Sequence, residues 1–214
     1  MVKKLTAEQK REKFKVNSRV LKRFIKTKNI KLGIDLGTIL TGVYCSDFGS
    51  LLIEGGNGKI IERIIRIDNV LLQNLKAMKY KKTIAIIEDY AYQSKMTQMA
   101  EISGVIKTSL FKLKIPYLLV ATTTIKKFVL GPSRGAKTSK KYSPMLMETL
   151  DRWGVKFVND DLCDSYCMVQ FLEYLEAFLF NKKVIDHQKQ RDLFNWEKDM
   201  FFNFVVNRGE PVYG

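Results

Sequence analysis

The sequence predicts an α/β fold, a mixed sheet flanked by helices. Three observations point there. Short apolar runs of β type alternate with longer stretches of helical spacing. The run TIAII at 83–87 is apolar throughout, as expected of a strand covered on both faces. At 214 residues and 46% hydrophobic, the chain can bury a proper core, which suits one domain with appendages.

Residues 1–30 read as a basic N-terminal arm. Up to Lys31 the chain holds twelve Lys/Arg against Glu8 and Glu12, +10 of the total +15. Thr6 with Gln9 three residues on reads as a capping box opening a helix. Its apolar residues are sparse, so the arm is either a solvated basic surface or a segment lying on phosphates.

Residues 31–180 read as the main domain. Strands are expected at 31–36, 40–46 and 50–54, with turns at Asp47-Phe-Gly49 and Gly55-Gly-Asn-Gly58. In the first strand Leu32 and Ile34 face one way, Gly33 and Asp35 the other. Lys59–Met78 reads as helix, Thr83–Ile87 as a strand ending in Glu88, and Ser94–Leu113 as a helix. That helix has Met96, Met99, Ala100, Ile102, Val105, Ile106 and Leu110 on its apolar side. Pro116–Val120 is a further buried strand, with Thr122–Thr124 capping a short helix through Leu130. Gly131–Tyr142 is a loop by composition, with two Gly, one Pro and no acid. Helices follow from Ser143 to Trp153 and from about Asp160 to Phe180. Residues 181–214 read as a C-terminal extension rich in aromatics, able to pack back or to form a partner surface.

The charge excess, with a pI near 9.7, implies a polyanionic partner, usually nucleic acid. No apolar run reaches membrane-spanning length, and nothing resembles a signal peptide. Cys45, Cys163 and Cys167 form no CxxC pair, which suits a reducing, cytoplasmic setting. Cys163, Cys167 and His187 would make a zinc site only with a fourth ligand at unusual spacing, so core cysteines are the expectation.

The acids carry the chemistry. Asp35 ends the first strand, and Glu88 ends the strand expected beside it. Asp161 and Asp164, three apart, share one face at a helix start. Asp160 or Asp161 has an alternative role as a helix cap. Four carboxylates around one cleft, with no histidine, suit Mg²⁺ or Mn²⁺ rather than zinc. Two such ions roughly 3.5–4 Å apart can hold the attacking water and the leaving oxygen of a phosphodiester.

The pattern Asp35-x-Gly37-x-x-x-Thr41-Gly42, Ile86-Ile87-Glu88, Asp161-x-x-Asp164 resembles the RuvC family of Holliday-junction resolvases, which have the ribonuclease H-like fold. The likeness spans about residues 31–178 and includes Ser103-Gly104-Val105, Lys126 and Lys137. It implies a metal-dependent endonuclease for branched DNA, leaving 5′-phosphate and 3′-hydroxyl ends. It implies Asp35, Glu88, Asp161 and Asp164 as ligands to two Mg²⁺ or Mn²⁺ ions per site. Lys126 and Lys137 would bind phosphate or steady transition-state charge. A homodimer is implied too, with the helix at 94–113 in its interface. Lys127, Arg134, Lys140 and Lys141 extend the basic surface expected to bind DNA. Where bacterial members place an aromatic after the second acid, Ala91 stands here between Tyr90 and Tyr92, which are expected to contact DNA. The arm and tail outside the match look more like a divergent or phage-borne resolvase. Other classes compatible with the sequence are a non-cutting binder of branched nucleic acid, a YqgF-type RNA nuclease, and an actin- or sugar-kinase-like ATPase, whose phosphate loop DLGTILTG also resembles.

Overall fold

The structure, a computed structural model, describes Thr6 and residues 21–22, 25–78, 80–88, 97–131, 143–180 and 205–207. β1 (Ile30–Asp35), β2 (Leu40–Cys45) and β3 (Gly49–Glu54) form the antiparallel part of the sheet. The β2–β3 turn reverses at Gly49, whose φ of 85° is the left-handed region where glycine carries no Cβ penalty. α1 (Ile60–Ala77) follows, its first turn fixed by Glu62, whose carboxylate accepts the Lys59 backbone N–H at 3.0 Å. β4 (Thr83–Glu88) pairs parallel to β1, with Ile34 opposite Ile87. α2 (Thr97–Lys112) leads to β5 (Tyr117–Val120), parallel to β4. α3 (Thr122–Leu130), α4 (Pro144–Trp153) and α5 (Asp160–Leu179) come next. β6 (Val205–Asn207) lies antiparallel on β5, so the sheet order is β3-β2-β1-β4-β5-β6. The mixed sheet flanked by helices is the expected architecture.

Strand alternation divides the interior in two. Leu32, Ile34, Val43, Ala85 and Ile87 point to one face, where Ile64, Ile67 and Leu71 of α1 and Ile102, Ile106 and Leu110 of α2 cover them. Ile84, Ile86, Leu118 and Val120 point to the other, against Phe128 of α3, Met145 of α4 and Phe171 and Leu172 of α5. β1 and β4 are buried along their whole lengths, which is why both read as near-continuous apolar runs. Leu21 and Ile25, on helical backbone, belong to the second core.

Several local expectations give way to packing. Ala100 is exposed, because α2 turns Ile102, Ser103, Ile106, Ser109 and Leu110 inward instead. The threonines at 122–124 form the first helical turn of α3, with Ala121 as its N-cap. Asp160 and Asp161 do not cap α5. Asn159 does, its side-chain oxygen accepting the Leu162 N–H at 3.1 Å.

Lys31, counted with the basic charges of the N-terminal segment and expected to open the first strand, lies within β1. It is only 5% exposed. As a β1 residue two positions from Gly33 it shares the face turned to α5, where it meets Glu173 and Glu176. Among the described residues, no helix is long and apolar enough to cross a membrane.

Candidate active site

The carboxyl-terminal ends of β1 and β4 bring the first two acids together. Ile34 and Ile87 are register partners, so Asp35 and Glu88 follow side by side on strands about 4.8 Å apart. Each is 8% exposed. The two carboxyl groups lie close enough for Glu88 to raise the proton affinity of Asp35.

The β1–β2 connection is shaped by the rest of the motif. A Cβ on Gly37 would stand 2.0 Å from the Leu40 carbonyl oxygen, so only glycine fits. The Thr41 hydroxyl donates to the Gly37 carbonyl at 2.8 Å and accepts the Gly37 N–H at 3.3 Å, closing the turn. Gly42 is the register partner of Asp35.

Two glycines then let α5 descend onto the sheet. A Cβ on Gly42 would lie 2.1 Å from the Asp161 carbonyl oxygen, and one on Gly33 2.0 Å from that of Ser165. Helix backbone therefore rests on strand backbone, and the first turn of α5 is carried to the end of β1. Beside Gly33 the partner residue Tyr44 packs edge-on against Tyr166, ring centroids 4.9 Å apart. Asp161 and Asp164 thus arrive over Asp35, having been 126 and 129 positions away in the chain.

The electrostatics record this convergence. Burial, then the charges of Glu88, Asp164 and Asp161, push the Asp35 carboxyl up to about 9. Burial raises Asp164 to about 6, even though the Lys126 ammonium pulls it down, with Glu88, Asp160 and Asp161 adding to the rise. Asp164 also buries one carboxylate oxygen without a hydrogen-bond partner. Such crowding is unfavourable unless a cation compensates it. All the donors are carboxylate oxygens, the set a hard divalent ion takes. Among the described residues, no three of these side chains are already placed to hold a single ion. The fit to a metal therefore rests on donor chemistry and on the repulsion it would relieve.

Structural comparison supplies an independent line. Thermus thermophilus RuvC aligns over 72% of this chain and 95% of its own, at TM-score 0.52 and 15% identity. T. thermophilus RuvC in complex with Holliday junction substrate aligns over 72% and 94%, at TM-score 0.51 and 14% identity. No protein-family profile matches the chain, and no curated protein matches its sequence. The chain has a RuvC-like, ribonuclease H-like fold.

In this RuvC-like frame, five of the expected site residues gather at one end of the sheet: Asp35, Glu88, Asp161, Asp164 and Lys126. Lys126 stands exposed on α3 near enough for its charge to act on Asp164. Lys127, its neighbour, is half-buried. Tyr90, Tyr92, Arg134, Lys137, Lys140 and Lys141 lie outside the described residues. Cys163 and Cys167 are core residues, both thiols meeting the Thr149 hydroxyl at 3.2 and 3.3 Å, and His187 lies outside the described residues. Sequence reasoning missed two contributors. Asp160 adds negative charge at the site, and Asn159, by taking the cap, leaves the Asp161 carboxylate uncommitted to that role. The run N-D-D before an apolar stretch was the available signal for the cap.

Proposed function

We propose that the protein is a metal-dependent, structure-selective DNA endonuclease that resolves Holliday junctions and related branched DNA by phosphodiester hydrolysis. The observation that carries it is the meeting of Asp35, Glu88, Asp161 and Asp164 at one sheet end with Lys126 beside them. That a RuvC of the same fold is known in complex with a Holliday junction substrate supports branched DNA as the partner.

Asp35, Glu88, Asp161 and Asp164 would hold Mg²⁺ or Mn²⁺, two ions per site. When bound, such ions supply a water nucleophile at neutral pH and charge stabilisation for the leaving oxygen. The chain's own residues orient and neutralise. The sheet fixes Asp35 and Glu88 from below, and α5 presents Asp161 and Asp164 from above. Lys126 holds the scissile phosphate and offsets charge that grows in the transition state, with Lys137 in the same role. Lys127, Arg134, Lys140 and Lys141, with the N-terminal arm, bind phosphates along the arms, and Tyr90 and Tyr92 contact bases near the branch point. Products carry 5′-phosphate and 3′-hydroxyl ends. The active form is a homodimer through α2, so that two sites address two symmetric strands. The basic arm and aromatic tail suit a divergent or phage-type cytoplasmic resolvase.

The test is a Mg²⁺ titration with an end-labelled four-way junction, beside duplex, flap and RNA substrates. Cutting should require the metal and favour the junction. Asp35→Asn should abolish cutting while junction binding persists; undiminished cutting by that variant rejects the assignment.

A further inference from the structure

Lys31 stands at the opposite end of β1 from Asp35, buried against α5. Its ammonium makes two ion pairs of 2.8 Å, one to Glu173, whose side chain is half-exposed, and one to Glu176. Burial pulls this ammonium down, yet the hydrogen bonds and charges of the two carboxylates outweigh it and hold its pKa above the usual lysine value. Ion pairs taken out of water contribute little net stability compared with apolar residues of the same volume. Their geometry, by contrast, is specific: one nitrogen is fixed between two points on successive turns of the helix.

We propose that Lys31, Glu173 and Glu176 form a positioning clamp that sets where α5 sits along β1, and thereby places Asp161 and Asp164 beside Asp35. The clamp rests on the metal-binding role assigned to those acids. From Lys31 to Asp35 is four strand residues, about 13 Å at roughly 3.3 Å each. From Asp164 to Glu173 is nine helical residues, about 13.5 Å at roughly 1.5 Å each. The two spans match, so a fixed point at one end determines the other. Gly33 beneath Ser165 and Gly42, the register partner of Asp35, beneath Asp161 fix two strand residues against one helical turn. This sets the Lys31 backbone opposite about residue 169, and its long side chain covers the remaining turn to Glu173. Glycines allow this close contact but offer no side chain to resist sliding along the helix axis. A slip of one helical residue would carry both aspartates about 1.5 Å along that axis. The clamp supplies the resistance that the glycines lack.

The decisive variant is Lys31→Met/Glu173→Gln/Glu176→Gln, which removes the three charges of the clamp together. Mn²⁺ binding to the metal-free protein is measured by electron paramagnetic resonance, with thermal unfolding run in parallel. The triple variant should fold, yet bind Mn²⁺ at least about tenfold more weakly, as when groups that orient metal ligands are lost. Lys31→Arg, which keeps both ion pairs, should retain binding within about threefold. Unchanged Mn²⁺ affinity in a folded triple variant overturns the clamp and leaves the metal site standing. Absence of Mn²⁺ binding by the unaltered protein overturns the metal site, and the clamp with it. Should the triple variant not fold, Glu173→Gln removes one half-exposed arm and should weaken Mn²⁺ about twofold; unchanged binding there also counts against the clamp.

Discussion

Gly42→Ala offers a direct test of how α5 is seated. The added methyl carbon would stand 2.1 Å from the Asp161 carbonyl oxygen, 2.3 Å from its carbon and 2.9 Å from the Leu162 nitrogen, all backbone atoms. Ordinary contact begins at 3.4 Å, so the helix start must withdraw by the difference, about 1.3 Å. Overpacking of this kind costs about 1–3 kcal/mol in stability. A displacement of about 1 Å at the acids should also cost about 100-fold in cleavage rate. Urea unfolding followed by circular dichroism reads the first effect, and single-turnover cleavage of a four-way junction reads the second. Gly104→Ala is the control for the stability measurement alone, because α2 is the helix assigned to the dimer interface. Gly104 lies on the exposed side of α2 with open space where a Cβ would go. There the methyl should stabilise by about 0.5–1 kcal/mol through helix propensity alone. A Gly42→Ala protein as stable as the parent, cutting at the parental rate, would refute the backbone-on-backbone seating of α5.

Two further outcomes are expected. In EDTA the protein should lose stability as pH rises. The folded state keeps a proton on Asp35 up to about 9 and on Asp164 up to about 6, whereas the unfolded chain releases both near 4. The stability these two protons contribute is therefore full below about pH 4 and declines through 6 towards 9, and Asp35→Asn should flatten that decline; a level urea-midpoint profile between pH 6 and 9 in the parent would show that Asp35 is not held protonated. Removing residues 1–20 takes away seven Lys/Arg and two Glu while sparing Leu21 and Ile25, which are buried. Junction affinity should fall and its dependence on salt should flatten, because fewer counterions are released; an unaltered slope in fluorescence anisotropy would show that the arm does not lie on DNA.

Much of the fold was legible because its signals are local. TIAII and the first strand are buried on both faces, and continuous apolar runs announce such strands without reference to anything distant. The motif between Asp35 and Gly42 was legible as a turn with close backbone approach, since Gly37 and Thr41 act on one another across four residues. The role of Gly33 was not. What it touches, Ser165, lies 132 positions along the chain, and a glycine in a strand says only that something comes near. The partners of Lys31 were hidden for the same reason, although its place in the first strand was read. Eleven other Lys/Arg precede it in the sequence, and nothing local distinguishes the one whose partners are at 173 and 176. The convergence of the four acids could be expected only through strand order, which register and burial then supplied.

The sixth strand bears on how the chain is made. Val205 follows Val120 by 85 residues, yet the two elements they belong to are adjacent in the sheet. A ribosome adding roughly 5–20 residues per second leaves β5 as an uncovered edge for about 4–17 s before its last neighbour emerges. Unpaired strand edges are templates for pairing with other chains. Newly made molecules on one messenger are therefore most prone to stick to each other in that interval, and the last strand to appear ends it.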